Sequence, residues 1–249
     1  MTASDLPAPF RLMARDRVGS TNDEARRLAE LGQAADFVVV TAREQTNGRG
    51  RRGRTWDSPA GNLHCSLLLA APRLDVAAQL GFVAAVAVVD ALSALVPAAA
   101  FRAKWPNDVL AEGRKVAGML LEPAGEGWLV LGLGIDVAAA PPDEQVLHPA
   151  TALTELGYGG SAELVLAAFC RAFAPWVERW RRDGFAPLRN AWLERAAGLG
   201  KPIEVRLERG TETGLFAGLD QDGALVLDQG GTHRRIMAGD VHFPAAPIA

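Results

Sequence analysis

Gly48-Arg-Gly-Arg-Arg-Gly-Arg54 places four arginines and three glycines in seven residues of a chain whose formal net charge is −3. The guanidiniums repel one another unless an anion lies among them, and the glycines leave the backbone many conformations to lose on ordering. Three interpretations fit this arginine stretch: a solvated basic loop, a nucleic-acid or targeting patch, or a loop that closes on a phosphate-bearing small molecule. The surrounding motifs are needed to choose among them.

Motifs on both sides of the arginine stretch point to one family. They are Ser20-Thr-Asn22, Gln45, Trp56-Asp-Ser-Pro-Ala-Gly-Asn62, Lys104-Trp-Pro-Asn-Asp108 and Gly113-Arg-Lys-Val-Ala-Gly118. At their spacing these residues resemble the biotin protein ligases, enzymes that attach biotin to a lysine of a carrier protein. The resemblance covers the chain from about Ser20 to the C-terminus. It implies an α+β fold, with a mixed β-sheet flanked by helices and a small SH3-like β-barrel at the C-terminal end.

The composition is that of an ordinary soluble globular protein, with 249 residues of which 49% are hydrophobic and 22% charged. Cys65 and Cys170 lack metal-ligand spacing, so structural burial in a reducing, cytoplasmic compartment fits them. The slightly acidic balance argues against general DNA or RNA binding, which needs a basic face. The N-terminus has no signal-peptide pattern, and the apolar run Leu80 to Leu95 is short for a membrane span, which predicts a buried helix instead.

The hydrophobic pattern predicts strands alternating with helices after an irregular start. The predicted strands are 37–41, 63–70, 102–106, 109–111, 116–122 and 128–137; the predicted helices are one opened by Ser20 to Glu24 and others at about 75–95, 161–183 and 187–197. Thr21 and Glu24 form a capping box, and Pro175 is expected to kink or divide its helix. From Lys201 on, five short strands separated by turns predict a small barrel. We therefore predict domains at 1–198 and 199–249.

The resemblance implies two chemical steps at one site. Biotin's carboxylate attacks the α-phosphate of ATP, and a lysine of the carrier then attacks the resulting biotinyl-adenylate. Both steps build negative charge on phosphate oxygens, so fixed cations in a site that excludes water are the efficient solution. Carried over from the family motif, Lys115 would contact both the biotin carboxylate and the α-phosphate, and it is the predicted central catalytic residue.

The other candidate residues also take their roles from the resemblance. Biotin would be bound by Ser20, Thr21, Asn22, Gln45, Gly48, Arg49, Arg51, Lys115 and Gly118. ATP or AMP would be bound by Arg51, Arg52, Arg54, Trp56, Asn107, Lys115 and Asp136. Arg51 and Asp108 join Lys115 as predicted catalytic residues. Asp108 could hold Mg²⁺ or accept the proton of the incoming lysine, and the sequence leaves both roles open.

Glycines on two predicted strands suggest close approach of a ligand to the backbone. Gly118 lies on one strand, where a β-bulge is the alternative explanation, and Gly132 and Gly134 lie on another. Without a ligand, nothing in the sequence offsets the cost of ordering the arginine stretch, roughly 1 to 2 kcal/mol per residue. We therefore expect it to be mobile in the empty protein and to close over the adenylate.

Two positions depart from the family pattern. Asp136 stands where the family usually has asparagine, and His64 stands where it usually has tyrosine. An ionised acid cannot donate a hydrogen bond as an amide does, so the first departure bears on adenine recognition. The second removes a phenol ring and bears on the lining of the pocket.

The resemblance also implies partners and leaves alternatives. Biotin, ATP and Mg²⁺ are expected at the site, with a biotin carboxyl carrier domain of a carboxylase as the protein partner. By the resemblance, only about ten residues precede the first strand of the catalytic domain, which predicts no DNA-binding domain, and no membrane is expected. A homodimer stays open. The alternatives are a lipoate or octanoate protein ligase, against which the arginine stretch and Ser20-Thr-Asn22 argue, and a non-catalytic module that binds anions.

Overall fold

The computed structural model describes residues 6–71, 76, 78–146 and 148–244 of the chain. Its elements are β1 (Arg11–Val18), α1 (Thr21–Glu30), β2 (Val38–Gln45), β3 (Leu63–Ala70), α2 (Gln79–Leu95), β4 (Phe101–Lys104), β5 (Asp108–Ala111), β6 (Arg114–Pro123), β7 (Trp128–Ile135), α3 (Ala162–Asp183), α4 (Phe185–Glu194), β8 (Pro202–Arg206), β9 (Thr211–Leu219), β10 (Leu225–Asp228), β11 (His233–Ile236) and β12 (Asp240–His242). Short 3₁₀ turns occur at Arg51–Gly53, Asp143–Gln145 and Leu153–Leu156.

The first seven strands form a mixed sheet in the order β1-β2-β3-β7-β6-β5-β4. Only β1 and β2 pair in parallel, and the other neighbours are antiparallel. This confirms the predicted mixed sheet. β3 lies inside it, and every residue of β3 except Ala70 is buried, as a strand covered on both faces requires.

Helices cover both faces of the sheet, and the period-two alternation of the strands sorts their side chains. In β3, Leu67 and Leu69 point to α2 and α3 and belong to the main core. Leu68 points the other way and packs with Ala25 and Leu28 of α1. α2 is apolar nearly all round and most of it is buried, which confirms the predicted core helix. In the part of the chain that the structure describes, no helix combines the length and apolarity needed to cross a bilayer.

The last five strands form a second, antiparallel sheet in the order β11-β10-β9-β8-β12, as the turn-rich sequence predicted. This SH3-like unit packs against the helices of the large sheet. The Trp192 ring of α4 meets Phe216 of β9 with 6.3 Å between ring centroids. Trp105 Nε1 donates to the Gly223 carbonyl at 3.2 Å, so the Lys-Trp-Pro-Asn-Asp motif contacts this unit directly. We propose that the boundary between the two domains lies after residue 198, as predicted from the sequence.

Several local predictions are corrected. The start is not irregular, because Arg11–Val18 forms an edge strand whose exposed side chains hide the pattern. The predicted capping box between Thr21 and Glu24 is wrong, because Thr21 is already the first residue of α1. Its backbone N–H and hydroxyl donate instead to Gln45 Oε1, at 2.7 and 3.0 Å. Pro175 does not divide α3, which is one helix.

Several helix and strand boundaries differ by a few residues from those predicted from the sequence. Helix 75–95 begins at Gln79, and residues 75 and 77 lie outside the described part. The strand predicted to end at Thr41 continues to Gln45. The bulge between β5 and β6 lies at Val116, where the register shifts, and not at Gly118, which pairs regularly with Asp108 and Gly134.

Candidate active site

A cavity of about 650 Å³ opens on the face of the large sheet that also carries α1. It brings together thirteen of the fifteen residues that the sequence predicted. They are Ser20, Thr21, Asn22, Gln45, Arg49, Arg51, Arg54, Trp56, Asn107, Asp108, Lys115, Gly118 and Asp136. Gly48 and Arg52 are not among the lining residues. Gly48 supports the turn that carries Trp56, because a Cβ there would lie 2.4 Å from the Trp56 carbonyl oxygen.

The floor of the cavity is built from β7, where Gly132 and Gly134 share one face because side chains alternate along a strand, and Asp136 follows directly after the strand. A Cβ on Gly132 would lie 2.4 Å from Asn22 Oδ1, and one on Gly134 would lie 2.4 Å from the Trp56 ring. The predicted close approach at these glycines is therefore made here by two side chains of the chain itself. Trp56 Nε1 is buried and has no hydrogen-bond partner among the described residues.

One end of the cavity is a network of hydroxyl and amide groups, which Asn22 Nδ2 joins to the carboxylate of Glu122 at 2.7 Å. Gln45 Oε1 accepts from the backbone N–H and hydroxyl of Thr21, while Gln45 Nε2 donates to Ser58 Oγ at 3.0 Å. Ser66 Oγ lies 2.7 Å from Thr21 Oγ1 and 2.5 Å from Asn22 Oδ1. The orientation of each amide is thus held by a partner, which leaves fixed donors and acceptors along this end.

Lys115 lies in the middle of the cavity. Its Nζ is 2.7 Å from Asp108 Oδ1 and 5.3 Å from the centroid of the Trp56 ring, a distance at which the ammonium and the aromatic face attract each other. Asp108 and Lys115 come from the paired strands β5 and β6, so the hairpin itself sets their spacing. Behind this pair, burial lowers the pKa of Lys104 to about 8.

The arginine stretch has protein partners, so the expectation that nothing offsets its ordering is wrong. Arg49 makes two hydrogen bonds of 2.7 Å to the carboxylate of Asp23 in α1. Arg52 and Arg54 both pair with Asp240 of β12. Three of the four guanidiniums therefore have a carboxylate partner, although Arg52 and Arg54 share one.

Arg51 differs from the other arginines of the stretch because its partner is neutral. Its Nη1 donates to Asn107 Oδ1 at 2.9 Å, and Asn107 Nδ2 in turn donates to the Met119 carbonyl at 2.7 Å. Partial burial lowers the pKa of the Arg51 guanidinium from its ordinary value. A half-buried cation with a neutral partner is the member of the stretch that gains most from an incoming anion.

Asp136 is a buried carboxyl on the cavity wall. Its one hydrogen bond from a side chain comes from Asn62 Nδ2 at 3.3 Å. Burial raises its pKa to about 7, although the nearby Lys115 charge acts in the opposite direction. His64, the other departure from the family pattern, is also buried; its Nε2 lies 3.1 Å from the Pro59 carbonyl, and burial lowers its pKa.

Four contributors were missed by sequence reasoning. Asp23 and Asp240 hold the arginines, Ser66 joins the polar network, and His148 lines the cavity. His148 stacks on His242 of β12 at 4.5 Å between ring centroids, and burial lowers its pKa to about 4. None stands in a motif, and only the fold brings them to the cavity.

Carboxylates that could hold Mg²⁺ are few here. Within the described residues, no group of three or more His, Cys, Asp or Glu side chains has a metal-binding arrangement. Asp108 Oδ1 is engaged by Lys115, so a metal would have to use its other oxygen together with oxygens of a bound phosphate.

Comparison with known proteins agrees with this geometry. Residues 15–134 match the Biotin/lipoate A/B protein ligase family, and residues 198–243 match the Biotin protein ligase C terminal domain. A biotin–[acetyl-CoA-carboxylase] ligase of Paracoccus denitrificans is 44% identical over 237 residues, which cover 91% of this chain and 98% of the relative. The chain belongs to the biotin protein ligase family.

Two further relatives support this placement. The biotin–[acetyl-CoA-carboxylase] ligase of Mycobacterium tuberculosis is 36% identical over 233 residues, 90% of this chain and 86% of that protein. A solved structure of the biotin protein ligase from Aquifex aeolicus, in complex with biotin and ATP, superposes with a TM-score of 0.82 at 27% identity. The superposition covers 93% of this chain and 97% of that one.

The raised pKa of Asp136 predicts a pH-dependent effect of Asp136→Asn on stability. An unfolded aspartate has a pKa of about 3.9, so between that pH and the folded pKa of about 7 the folded state holds a proton that the unfolded state has lost. The stability gained by binding this proton is full at low pH and is lost as pH rises through 7. Relative to wild type, Asp136→Asn should therefore gain roughly 1.4 kcal/mol per pH unit between about pH 5 and pH 7 and then level off.

Urea unfolding across this range, followed by far-UV circular dichroism, measures the difference. Asp143→Asn, which removes a surface carboxyl paired with Arg114, is the matched control. A difference between Asp136→Asn and wild type that does not change with pH would contradict the assignment of a raised pKa.

Proposed function

We propose that the chain is an ATP-dependent biotin protein ligase that forms biotinyl-5′-AMP and transfers biotin to a lysine of a biotin carboxyl carrier domain. The observation that carries the proposal is that one cavity joins the polar end, the Lys115–Asp108 pair and the arginine stretch. An acyl-adenylate needs these three environments side by side: the polar end for the acyl group, the Lys115–Asp108 pair for the phosphate, and the arginine stretch as a cover over the intermediate. The named relatives that share the fold are ligases of this kind.

The polar end suits the ureido ring of biotin. That ring presents two N–H donors and a carbonyl acceptor, and Thr21, Asn22 and Gln45 offer hydroxyl and amide groups whose orientation neighbours already hold. The backbone of Cys65, Met119 and Leu133, whose side chains belong to the main core, lines the same cavity. Together with Leu120, which lies on the cavity face of β6, it fits the thiophane ring and the tail. Ser20 and Gly118 are assigned to the walls of this subsite, and Gly48, which does not line the cavity, is assigned to the support behind Gln45 and Trp56.

Lys115 is assigned to the reacting atoms. In the first step an oxygen of the biotin carboxylate bonds to the α-phosphorus while the bond to pyrophosphate breaks. Charge grows on the phosphate oxygens, and a fixed ammonium stabilises it more than it stabilises the ground state. Asp108 holds the ammonium in position through its 2.7 Å contact.

In the second step the carrier lysine attacks the acyl carbon, AMP leaves with the electron pair, and the new amide nitrogen loses a proton. Asp108 is a candidate to accept that proton, or to hold Mg²⁺ through the oxygen that Lys115 does not use. When bound, the metal would screen the charge of the phosphates. Asn107, Trp56 and Asp136 are assigned to the nucleoside.

The arginine stretch is proposed to exchange partners when the adenylate forms. Arg49 and Arg54 hold carboxylates, while Arg51 holds only the amide oxygen of Asn107. Replacing a neutral acceptor by a phosphate or carboxylate oxygen roughly doubles the strength of such a hydrogen bond. Arg51 is therefore the arginine expected to move first onto the intermediate, with Arg52 contributing from outside the cavity.

The finer features are proposed with the activity. The carrier is a biotin carboxyl carrier domain of a carboxylase, and the location is cytoplasmic, where the free, buried thiols of Cys65 and Cys170 would stay reduced. A lipoate or octanoate ligase is the second candidate, and it has no observation in its favour because the polar end suits a ureido ring better than an acyl chain. DNA binding and a homodimer are not part of the proposal.

The activity is tested by incubating the purified protein with biotin, ATP, Mg²⁺ and a biotin carboxyl carrier domain. Streptavidin detection should show ATP-dependent labelling of the carrier lysine. A carrier domain with that lysine changed to arginine is the control. If lipoate or octanoate labels the carrier and biotin does not, the chain is a lipoate or octanoate ligase, the second candidate function.

Lys115→Ala should impair adenylate formation more than biotin binding. Its charge matters most as the phosphoryl transition state develops, and its loss should cost about 2.7 to 4 kcal/mol, by analogy with loss of an oxyanion-hole donor. Pyrophosphate release measures the first effect and calorimetry with biotin the second. An unchanged rate of pyrophosphate release would remove Lys115 from the reacting centre.

Arg51→Gly should still make the adenylate but release it faster. Without the guanidinium the cover over the activated anhydride is weaker, so the intermediate escapes and acylates lysines of unrelated proteins. Streptavidin blots of the variant mixed with serum albumin measure this leakage, with Arg209→Gly on an exposed turn as control. If Arg51→Gly protein retains its adenylate as long as wild type, the arginine stretch must be reassigned to docking of the carrier.

A further inference from the structure

The carboxyl of Asp136 has an unusual setting for an acid on the wall of an anion-binding cavity. Only 3% of the residue is exposed. Within the described residues no guanidinium or ammonium lies within ion-pair distance of its carboxylate. Its one side-chain partner, Asn62, is otherwise occupied: Asn62 Oδ1 accepts from the backbone N–H groups of residues 137–139, and its Nδ2 also lies 2.7 Å from the Ala139 carbonyl.

The register of β7 shows which part of a ligand Asp136 would meet. Gly132 lies against Asn22 in the polar end, and Gly134 lies against Trp56 beside Lys115. Asp136 follows on the same face, about 13 Å from Gly132 at roughly 3.3 Å per residue. If the acyl group lies at Gly132 and the phosphate at Lys115, what remains for Asp136 is the nucleoside.

The protonation state decides what this carboxyl can recognise. An ionised carboxylate only accepts hydrogen bonds, whereas a protonated carboxyl donates one and accepts another, as an asparagine side chain does. The Watson–Crick edge of adenine presents an amino donor beside a ring-nitrogen acceptor. An ionised carboxylate would satisfy the amino group but bring its second oxygen against the lone pair of the ring nitrogen.

We propose that Asp136 is a specificity-determining residue that holds the nucleobase as a neutral carboxyl, donating one hydrogen bond to a ring nitrogen and accepting one from an exocyclic amino group. This inference rests on the proposed function, because it takes the cavity to bind a nucleotide. It assigns a role to the acid that stands at this position, and it makes proton uptake part of nucleotide binding.

The charged surroundings agree with a neutral carboxyl. Burial raises the pKa of Asp136 to about 7, and the carboxylates of Asp57 and Glu155 act in the same direction. Lys115 opposes them, but its ammonium is already engaged by Asp108. A base that hydrogen-bonds only the protonated form raises this pKa further on binding.

The sign of the pH dependence follows from linkage. A ligand that needs the proton binds with constant affinity well below pH 7 and loses affinity above it, because deprotonated sites must first take up a proton. With a free-site pKa of about 7, the dissociation constant should be about tenfold larger at pH 8 than at pH 6. Lys104, with its pKa of about 8, also titrates in this range. Its contribution cancels when wild type is compared with a variant that retains Lys104 and lacks only the Asp136 carboxyl.

The experiment measures binding of a non-hydrolysable biotinyl-adenylate analogue, in which a phosphodiester replaces the anhydride, by calorimetry from about pH 6 to about pH 8.5. The phosphodiester does not titrate in this range. Asp136→Asn keeps Lys104, Lys115 and the donor–acceptor pair but has no proton to lose. It should bind like wild type at the lowest pH and about tenfold more tightly than wild type near pH 8.

Three further measurements make the test decisive. Biotin alone should bind both proteins with the same pH profile, because it does not reach Asp136. Asp136→Ala should bind the analogue more weakly than Asp136→Asn at every pH, which a purely structural role of the buried carboxyl would not require. Proton uptake, measured by calorimetry in buffers of different ionisation enthalpy, should accompany binding of the analogue to wild type and be smaller for Asp136→Asn.

The outcomes separate this inference from the proposed function. If the analogue binds tightly but the ratio of wild-type to Asp136→Asn affinity does not change with pH, the neutral-carboxyl role is overturned while the ligase assignment stands. If neither protein binds the analogue at any pH, the proposed function itself fails. Weaker binding of Asp136→Asn at the lowest pH would also overturn the inference, because the amide would then not replace the carboxyl.

Discussion

The structure depends on one constraint: three positions on the cavity face of β6 and β7 carry no side chain. Gly118, Gly132 and Gly134 let Asn22 and Trp56 lie directly against the sheet, where a Cβ would come within 2.4 to 3.0 Å of them. This contact joins α1, the arginine stretch and the central strands into one wall. The polar end, the Lys115–Asp108 pair and the cover all take their positions from it.

Ion pairs hold most of the charged side chains around the cavity. Three of the four Lys and Arg side chains that line the cavity have an anionic partner: Lys115 has Asp108, Arg49 has Asp23, and Arg54 has Asp240. Such pairs limit the repulsion within the arginine stretch and hold the guanidiniums at the cavity. Because Asp240 belongs to β12, the C-terminal sheet takes part in the site and does not merely stabilise the fold.

The two departures from the family pattern are both buried beside the cavity, yet they differ in consequence. His64 has a backbone acceptor, and burial favours its neutral form, so it fills space much as another ring would. Asp136 has one long side-chain hydrogen bond and no cation in ion-pair distance within the described residues, so its ionised form has little support there. A substitution that looks conservative in size can thus add proton linkage to a binding site.

The sequence by itself determined the family, the mixed sheet, the five-stranded C-terminal unit and most cavity residues. It could do so because buried strands read as short apolar runs, and because a loop dense in arginine and glycine has few structural uses. Only the tertiary structure decided the edge strand β1, the role of Thr21 as a partner of Gln45, and the counter-ions Asp23 and Asp240. An exposed edge strand has no apolar period. Ion pairs between residues 26 positions apart, as for Arg49 and Asp23, or 188 positions apart, as for Arg52 and Asp240, form only after the chain has folded.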